Sequence, residues 1–320
     1  MSEKASLLSS GAAIARRNKR YVFWFFVLNF IFASLGASAF RIHAAHLLDR
    51  SLNADGLLHG FDWAVLGELL FRPEFGPAQG ATVPGMILAV LFFVLTLIFL
   101  PGVFLGYASN YRISREDFFR SCGRNLWRFV RVAILFAIVA GIVGGILGGI
   151  QSALAHAADE SSYEKLPFYV QLLGLIVIFL ALTAIRIWFD VAEADVVIAD
   201  QNAVRKSVGK ARRQIRGHRF RLLGAYVAIS LVALLVLAIG IVVWNAVVPS
   251  ASLFSAFLIG QLILLLLLAI RFWQRAVAVS FYLARVAEAP VETLPAPIIF
   301  PEPPAPVAPP VGVAPQGEGI

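Results

Sequence analysis

His43, His46 and His59 stand within one stretch with Asp49 and Asp62, the nearest approach in this chain to a metal-binding set. His43 and His46 are three positions apart, so on a helix they share a face, and Asp49 or His59 could complete a tetrahedral zinc site. The spacing matches no established zinc pattern, and Gly56 and Gly60 leave the geometry of the intervening chain open. Ordinary histidines in an interfacial loop are the favoured reading. No metal and no cofactor are expected.

Arg186, Asp190 and Glu193 form a second set, at i, i+4 and i+7 on one helical face, with Asp195 and Asp200 following. Paired carboxylates can do acid–base work or hold a cation, but no nucleophile and no phosphate-binding glycine loop accompanies these. A salt-bridged network that docks the basic helix 204–216 is favoured over catalysis. Ala137, Gly141, Gly145 and Gly149 make a third pattern, small residues recurring every four positions. Such a stripe lets helix backbones approach closely. A central packing helix within the monomer is favoured over a homo-oligomer seam or a pore lining.

The elements that must position these residues are set by composition. Mean hydropathy is +0.81. With 59% hydrophobic and 14% charged residues, the chain is excluded from the ordinary soluble class. Six apolar stretches, near 21–40, 84–106, 132–154, 168–189, 222–247 and 254–270, are each about the roughly 20 residues needed to cross a hydrocarbon core. Their lack of period-2 alternation predicts helices rather than a β-barrel. The expectation is an all-α, polytopic membrane bundle with six transmembrane helices: a basic segment 1–20, a membrane domain 21–288 with an outside loop at 41–82, and a tail 289–320.

Counted by flanking segment, with Arg186 assigned to the inner end of span four, 23 of the 27 Lys and Arg fall on one side of the expected membrane. Retention of basic loops in the cytoplasm then predicts six spans with both termini on the cytoplasmic side. The net charge of +8 accordingly points to anionic headgroups as partners and not to nucleic acid. Ala37-Ser38-Ala39 resembles a signal-peptidase site, but the apolar run before it is long for a signal, and a retained first span is favoured. Cys122 is the single cysteine, so no intramolecular disulfide forms. Ten of the sixteen prolines follow Ala289, which rules out helix or sheet there and predicts a disordered tail with polyproline II character.

Two basic segments are amphipathic. Phe119, Cys122, Leu126 and Phe129 lie amid Arg120, Arg124, Arg128 and Arg131; Val204, Val208, Ala211 and Ile215 lie amid Arg205, Lys206, Lys210, Arg212, Arg213 and Arg216. Helices of this type rest along the interface, so these arginines are candidate contacts for lipid headgroups. Ser9-Ser-Gly11, Ser121-Cys-Gly123 and Ser207-Val-Gly209 each precede an odd-numbered span, which suggests three repeated hairpins. Pro101-Gly102 hints at a broken helix in span two. Within the assigned boundaries the spans hold no Asp, Glu, Lys or His, which argues against a pump or an ion-coupled transporter.

The stretch from Arg186 to Tyr226, with Phe189-Asp190-Val-Ala192 and Ala203-Val-Arg205-Lys206-Ser207, and the Arg-bearing last helix (Gln261, Arg271, Arg275, Tyr282) carry a resemblance. Residues 1–288 resemble uncharacterised bacterial six-span membrane proteins, of the kind grouped with YciC-like inner-membrane proteins and with the membrane domain of some glycerophosphoryl diester phosphodiesterases. The resemblance implies a helical inner-membrane protein and brings no activity with it. The function expected is non-catalytic, a lipid-contacting scaffold or accessory subunit. The alternatives are a passive channel using the glycine face of span three and a lipid-active enzyme.

Overall fold

The computed structural model describes residues 6–48, 78–109, 111–159, 163, 165–247 and 253–288. Among them the secondary structure is helical throughout: α1 (Leu7–Arg17), α2 (Lys19–Leu48), α3 (Ala78–Ala108), α4 (Arg115–Asp159), α5 (Leu166–Ile198), α6 (Val204–Arg216), α7 (Arg219–Val247) and α8 (Leu253–Glu288). Five helices, α3, α4, α5, α7 and α8, are long and apolar enough to cross a membrane. The expected first span falls on α2.

Three expectations about the elements change. Helix covers part of the stretch 41–82, because α2 continues to Leu48 and α3 begins at Ala78. Residues 41–48 contain no Gly or Pro and two Ala and two Leu, so nothing in the sequence stops the helix there. Arg120, Arg124 and Arg128 do not sit on a separate interfacial helix. They occupy the first turns of α4, a single 45-residue helix about 68 Å long that runs straight on into the third apolar stretch. Pro101-Gly102 does not break α3, which is helical across both residues; Gly102 instead leaves space for the Phe118 ring, whose atoms would lie 2.5–2.8 Å from a Cβ there.

The buried core is confined to one end of the bundle. It is made by Phe104 and Tyr107 of α3, Phe129 and Val132 of α4, Val191 to Val196 of α5, Leu222 to Ile229 of α7 and Phe272 to Tyr282 of α8. This is also the end that carries α1, α6 and most of the arginines. Towards the other end the helices keep their apolar side chains outward: Ile138, Ile142, Ile146, Ile150 and Leu154 of α4 are each more than half exposed. Large apolar residues so exposed are stable only in an apolar solvent, which is why length and hydropathy together identify membrane helices.

Neighbouring helices pack as α2–α3, α3–α4 and α4–α5, and α7 meets α8 where Ile263 occupies the space left by Gly240. Gln151 Nε2 of α4 donates to the Val170 carbonyl of α5 (3.1 Å), its side chain filling the space left by Gly174. Gln274 Nε2 of α8 donates to Ser230 Oγ of α7 (3.1 Å). The basic segments then link the pairs. Trp188 Nε1 of α5 donates to the Val208 carbonyl of α6 (2.7 Å), and Trp273 Nε1 of α8 donates to the Leu8 carbonyl of α1 (3.0 Å). The start of α4 rests on the basic end of α3, where Ser121 Oγ donates to the Pro101 carbonyl (3.4 Å).

Candidate functional site

The polar groups gathered at the basic end sit on helix termini held by that core. Asp190, on the buried side of α5, accepts a hydrogen bond from the Tyr226 hydroxyl of α7 at its Oδ2 (2.8 Å) and faces Arg186 Nε at 3.7 Å. The i, i+4 spacing brings Arg186 and Asp190 together as expected. Arg275 of α8 lies in the attractive field of Asp190 and Glu193 of α5 and is opposed by the like charge of Arg186. Arg275 is only 7% exposed, and its guanidinium also lies over the Phe272 ring, 5.4 Å from the centroid.

Asp195, one and a half turns further along α5, is fully buried. Its Oδ1 accepts from Lys210 Nζ of α6 and from the Tyr282 hydroxyl of α8, each at 2.7 Å. A carboxylate away from water is tolerable only with such charge-assisted partners. The docking of α6 on α5 therefore belongs to Asp195 and Lys210, together with the Trp188–Val208 bond, rather than to Arg186, Asp190 and Glu193. Val204, Ser207 and Ala211 face α5 and are buried, leaving Arg205, Lys206, Arg212, Arg213 and Arg216 outward.

Asp200, just after α5, ties the start of α4 to this region. Arg128 Nη1 donates to its Oδ1 (2.7 Å) and Arg124 pairs with its Oδ2, while Arg128 also reaches Asn202. The Arg128 hydrogen bond, with the Arg124 charge, holds the Asp200 carboxyl below its ordinary range. Arg120 pairs with Glu116 and lies 3.9 Å from Asp117. Of the six arginines expected at headgroups, Arg120, Arg124 and Arg128 thus have protein carboxylates as partners, and the guanidinium of Arg212 lies 5.7 Å from the Trp188 ring centroid. Arg213 and Arg216 are exposed.

Two hollows open at this end. One, about 270 Å³, lies between α3, α4 and the end of α5 and is lined by Asp117, Arg120, Arg124, Asn125 and Asp200 among others. The second, about 530 Å³, is lined by Asp195, Gln201, Arg205, Lys206, Gly209, Lys210 and Arg213. Among the described residues no group of three or more His, Cys, Asp and Glu is placed to hold a metal. His43 and His46 fall on the last turns of α2; Asp49, Asp62 and His59 lie outside the described residues, as does the proline-rich tail.

The small-residue stripe departs from expectation. Nothing lies within 4 Å of where a Cβ would stand at Gly141, Gly145, Gly148 or Gly149, and Ala137 is exposed. Among the described residues this face packs against no neighbouring helix. The α4–α5 contact uses other positions, such as Gln151 over Gly174 and Gly144 beside Leu182 (3.8 Å). Close approaches are at Gly11, Gly102 and Gly106 near the basic end, and at Gly174 and Gly240 further along the bundle.

Compared with known protein families, with curated proteins and with solved structures, this chain finds no match. The residues that carry the basic end were only partly visible beforehand. Asp195 was one carboxylate among several, and Tyr226 and Tyr282 carried no charge to draw attention to them. Only Tyr226 carries a positional signal, a phenol just inside the end of the apolar stretch 222–247; Tyr282 lies twelve residues beyond the last stretch.

Proposed function

We propose that the chain is a six-span protein of the bacterial inner membrane, with both termini on the cytoplasmic side, that acts without catalysis as a lipid-contacting scaffold. On this reading α2 is the first span, and the layout is that of the YciC-like and phosphodiesterase-linked membrane proteins it resembles. The observation that carries it is the construction of α6: its inner face is fastened to α5 by Lys210 on the buried Asp195, while Arg205, Lys206, Arg212, Arg213 and Arg216 are held outward. Several cations held beside a membrane boundary favour anionic headgroups by about 1 kcal/mol each.

Native mass spectrometry of protein released from nanodiscs of mixed lipid tests this. Anionic lipids retained well above their share of the nanodisc are the expected result. Retention in proportion to the bulk composition would remove the lipid-contacting role. The outward Ala137–Gly149 face of α4 supports a second element of the same reading, self-association through that helix, since small residues favour close contact between membrane helices. The same spectra report the oligomeric state.

A further inference from the structure

We propose that the hollow between α5 and α6 is a binding site for a phospholipid headgroup carrying two negative charges. This rests on the lipid-contacting reading above and narrows it to one site and one class of headgroup.

Arg205, Lys206, Gly209 and Arg213 fall on one side of α6, at i, i+1, i+4 and i+8, and with Gln201, Lys210 and Asp195 they line about 530 Å³. That volume lies within the roughly 300–1,000 Å³ of small-molecule sites. Gly209 gives the hollow a bare floor, with nothing within 4 Å of where its Cβ would be. The charges do not cancel. Lys210 is neutralised by Asp195 at 2.7 Å, but among the described residues no carboxylate pairs with Arg205, Lys206 or Arg213. Three uncompensated cations around one concavity suit a dianion better than a monoanion, and guanidinium groups suit phosphate oxygens in particular.

Position selects a lipid over a soluble phosphate. Asp195 is six residues beyond the end of the apolar stretch 168–189, about 9 Å along the helix. The headgroup layer on each side of a bilayer is about 5–8 Å deep. A hollow at that height, with Arg and Lys side chains able to lean towards the membrane, meets phosphates of the facing leaflet. Two lipid headgroups fit the charge: a phosphomonoester, as in phosphatidic acid, or the paired phosphodiesters of cardiolipin.

The test uses the full chain in phosphatidylcholine nanodiscs doped with phosphatidic acid, cardiolipin or phosphatidylglycerol, with retained lipid counted by native mass spectrometry. The wild type should retain the two dianionic lipids about five- to tenfold better than phosphatidylglycerol. The double variant Lys206→Gln/Arg213→Gln should lose that preference, whereas Arg212→Gln/Arg216→Gln, outside the hollow, should keep it. All four side chains are surface groups, so an unchanged unfolding temperature verifies that both variants fold.

Equal retention of phosphatidylglycerol and phosphatidic acid would overturn the proposal, and so would an equal loss in the two double variants. Displacement of the lipid by glycerol 3-phosphate in solution would make the site one for soluble phosphoesters and overturn the lipid assignment. In each of these cases general enrichment of anionic lipid can persist. Its absence in the wild type would instead remove the scaffold reading itself.

Discussion

Asp195 and Asp200 are five positions apart and face opposite conditions. Asp195 is sealed from water with a cation and a phenol on one oxygen, while Asp200 stands at the surface between two arginines. Removing one partner of a buried, hydrogen-bonded charge strands the other and costs about 3 kcal/mol or more when both are buried. Lys210 is 40% exposed and can turn to solvent, which lowers the figure. Asp195→Ala should destabilise the protein by about 2 kcal/mol, and by clearly more than Asp200→Ala, whose carboxylate is screened by solvent. Thermal unfolding of both variants in one detergent checks the ranking, and equal shifts would deny Asp195 its docking role. Asp200 carries a pH dependence of known sign. Its folded-state pKa is lowered from the ordinary 3.8, so its contribution is present above that value and disappears as pH falls through the lowered one. Unfolding temperature should therefore decline less steeply in acid for Asp200→Asn than for the wild type. The charge network is legible in the sequence as a set of types, Arg amid Asp and Glu, and in the i, i+4 pair Arg186–Asp190. Pairings such as Asp195 with Tyr282 and Asp200 with Arg124 and Arg128 are not, because they join residues more than 70 positions apart.

Helices were the most legible level, since about 20 apolar residues in a row leave few alternatives. Their ends were less so. The start of α4 looked like a separate interfacial helix because its arginines contrast with the apolar run beyond Arg131. Backbone continuity, however, depends on the absence of a breaker and not on polarity, and Gly123 alone does not stop a helix. Glycine spacing misled in a similar way. A stripe in a sequence records that close approach is possible, and the structure shows where it happens. Gly106 packs on Tyr21, whose Cε2 and Cζ would be 2.8 Å from an added Cβ, whereas Gly145 meets open space. Gly106→Ala should accordingly destabilise by about 1–3 kcal/mol through overpacking. Gly145→Leu should leave the unfolding temperature of the monomer unchanged and lower only the oligomeric fraction, if α4 is the seam. Calorimetry together with native mass spectrometry separates the two effects. A large loss of stability in Gly145→Leu would mean that this face packs within the chain after all.

At the scale of the molecule, the three Ser–Gly segments acquire a common architectural role. Each leads into a helix pair and rests on the returning helix of another: the start of α4 on α3, α6 on α5, and α1 on α8. The first two links join neighbours in the chain. The third joins the N-terminal segment to the last helix and so closes the series into a ring. That closure depends on Gly11, where an added Cβ would come 3.0 Å from the backbone N and Cα of Val277, atoms that cannot swing aside. It is further held by Trp273 on the Leu8 carbonyl and by Ser10 Oγ, 3.4 Å from Ser280 Oγ. If the ring is what keeps the core at one end, breaking this link should act locally on two distant stretches. Gly11→Leu should raise backbone hydrogen exchange in α1 and in 272–282 of α8, while 190–211, held by Asp195 and Trp188, keeps its protection. Exchange measured by mass spectrometry in nanodiscs reads all three stretches in one experiment. Unchanged protection in α8 would show that α1 is an appendage and not the closing member. A uniform rise would show instead that the basic end unfolds as a single cooperative unit.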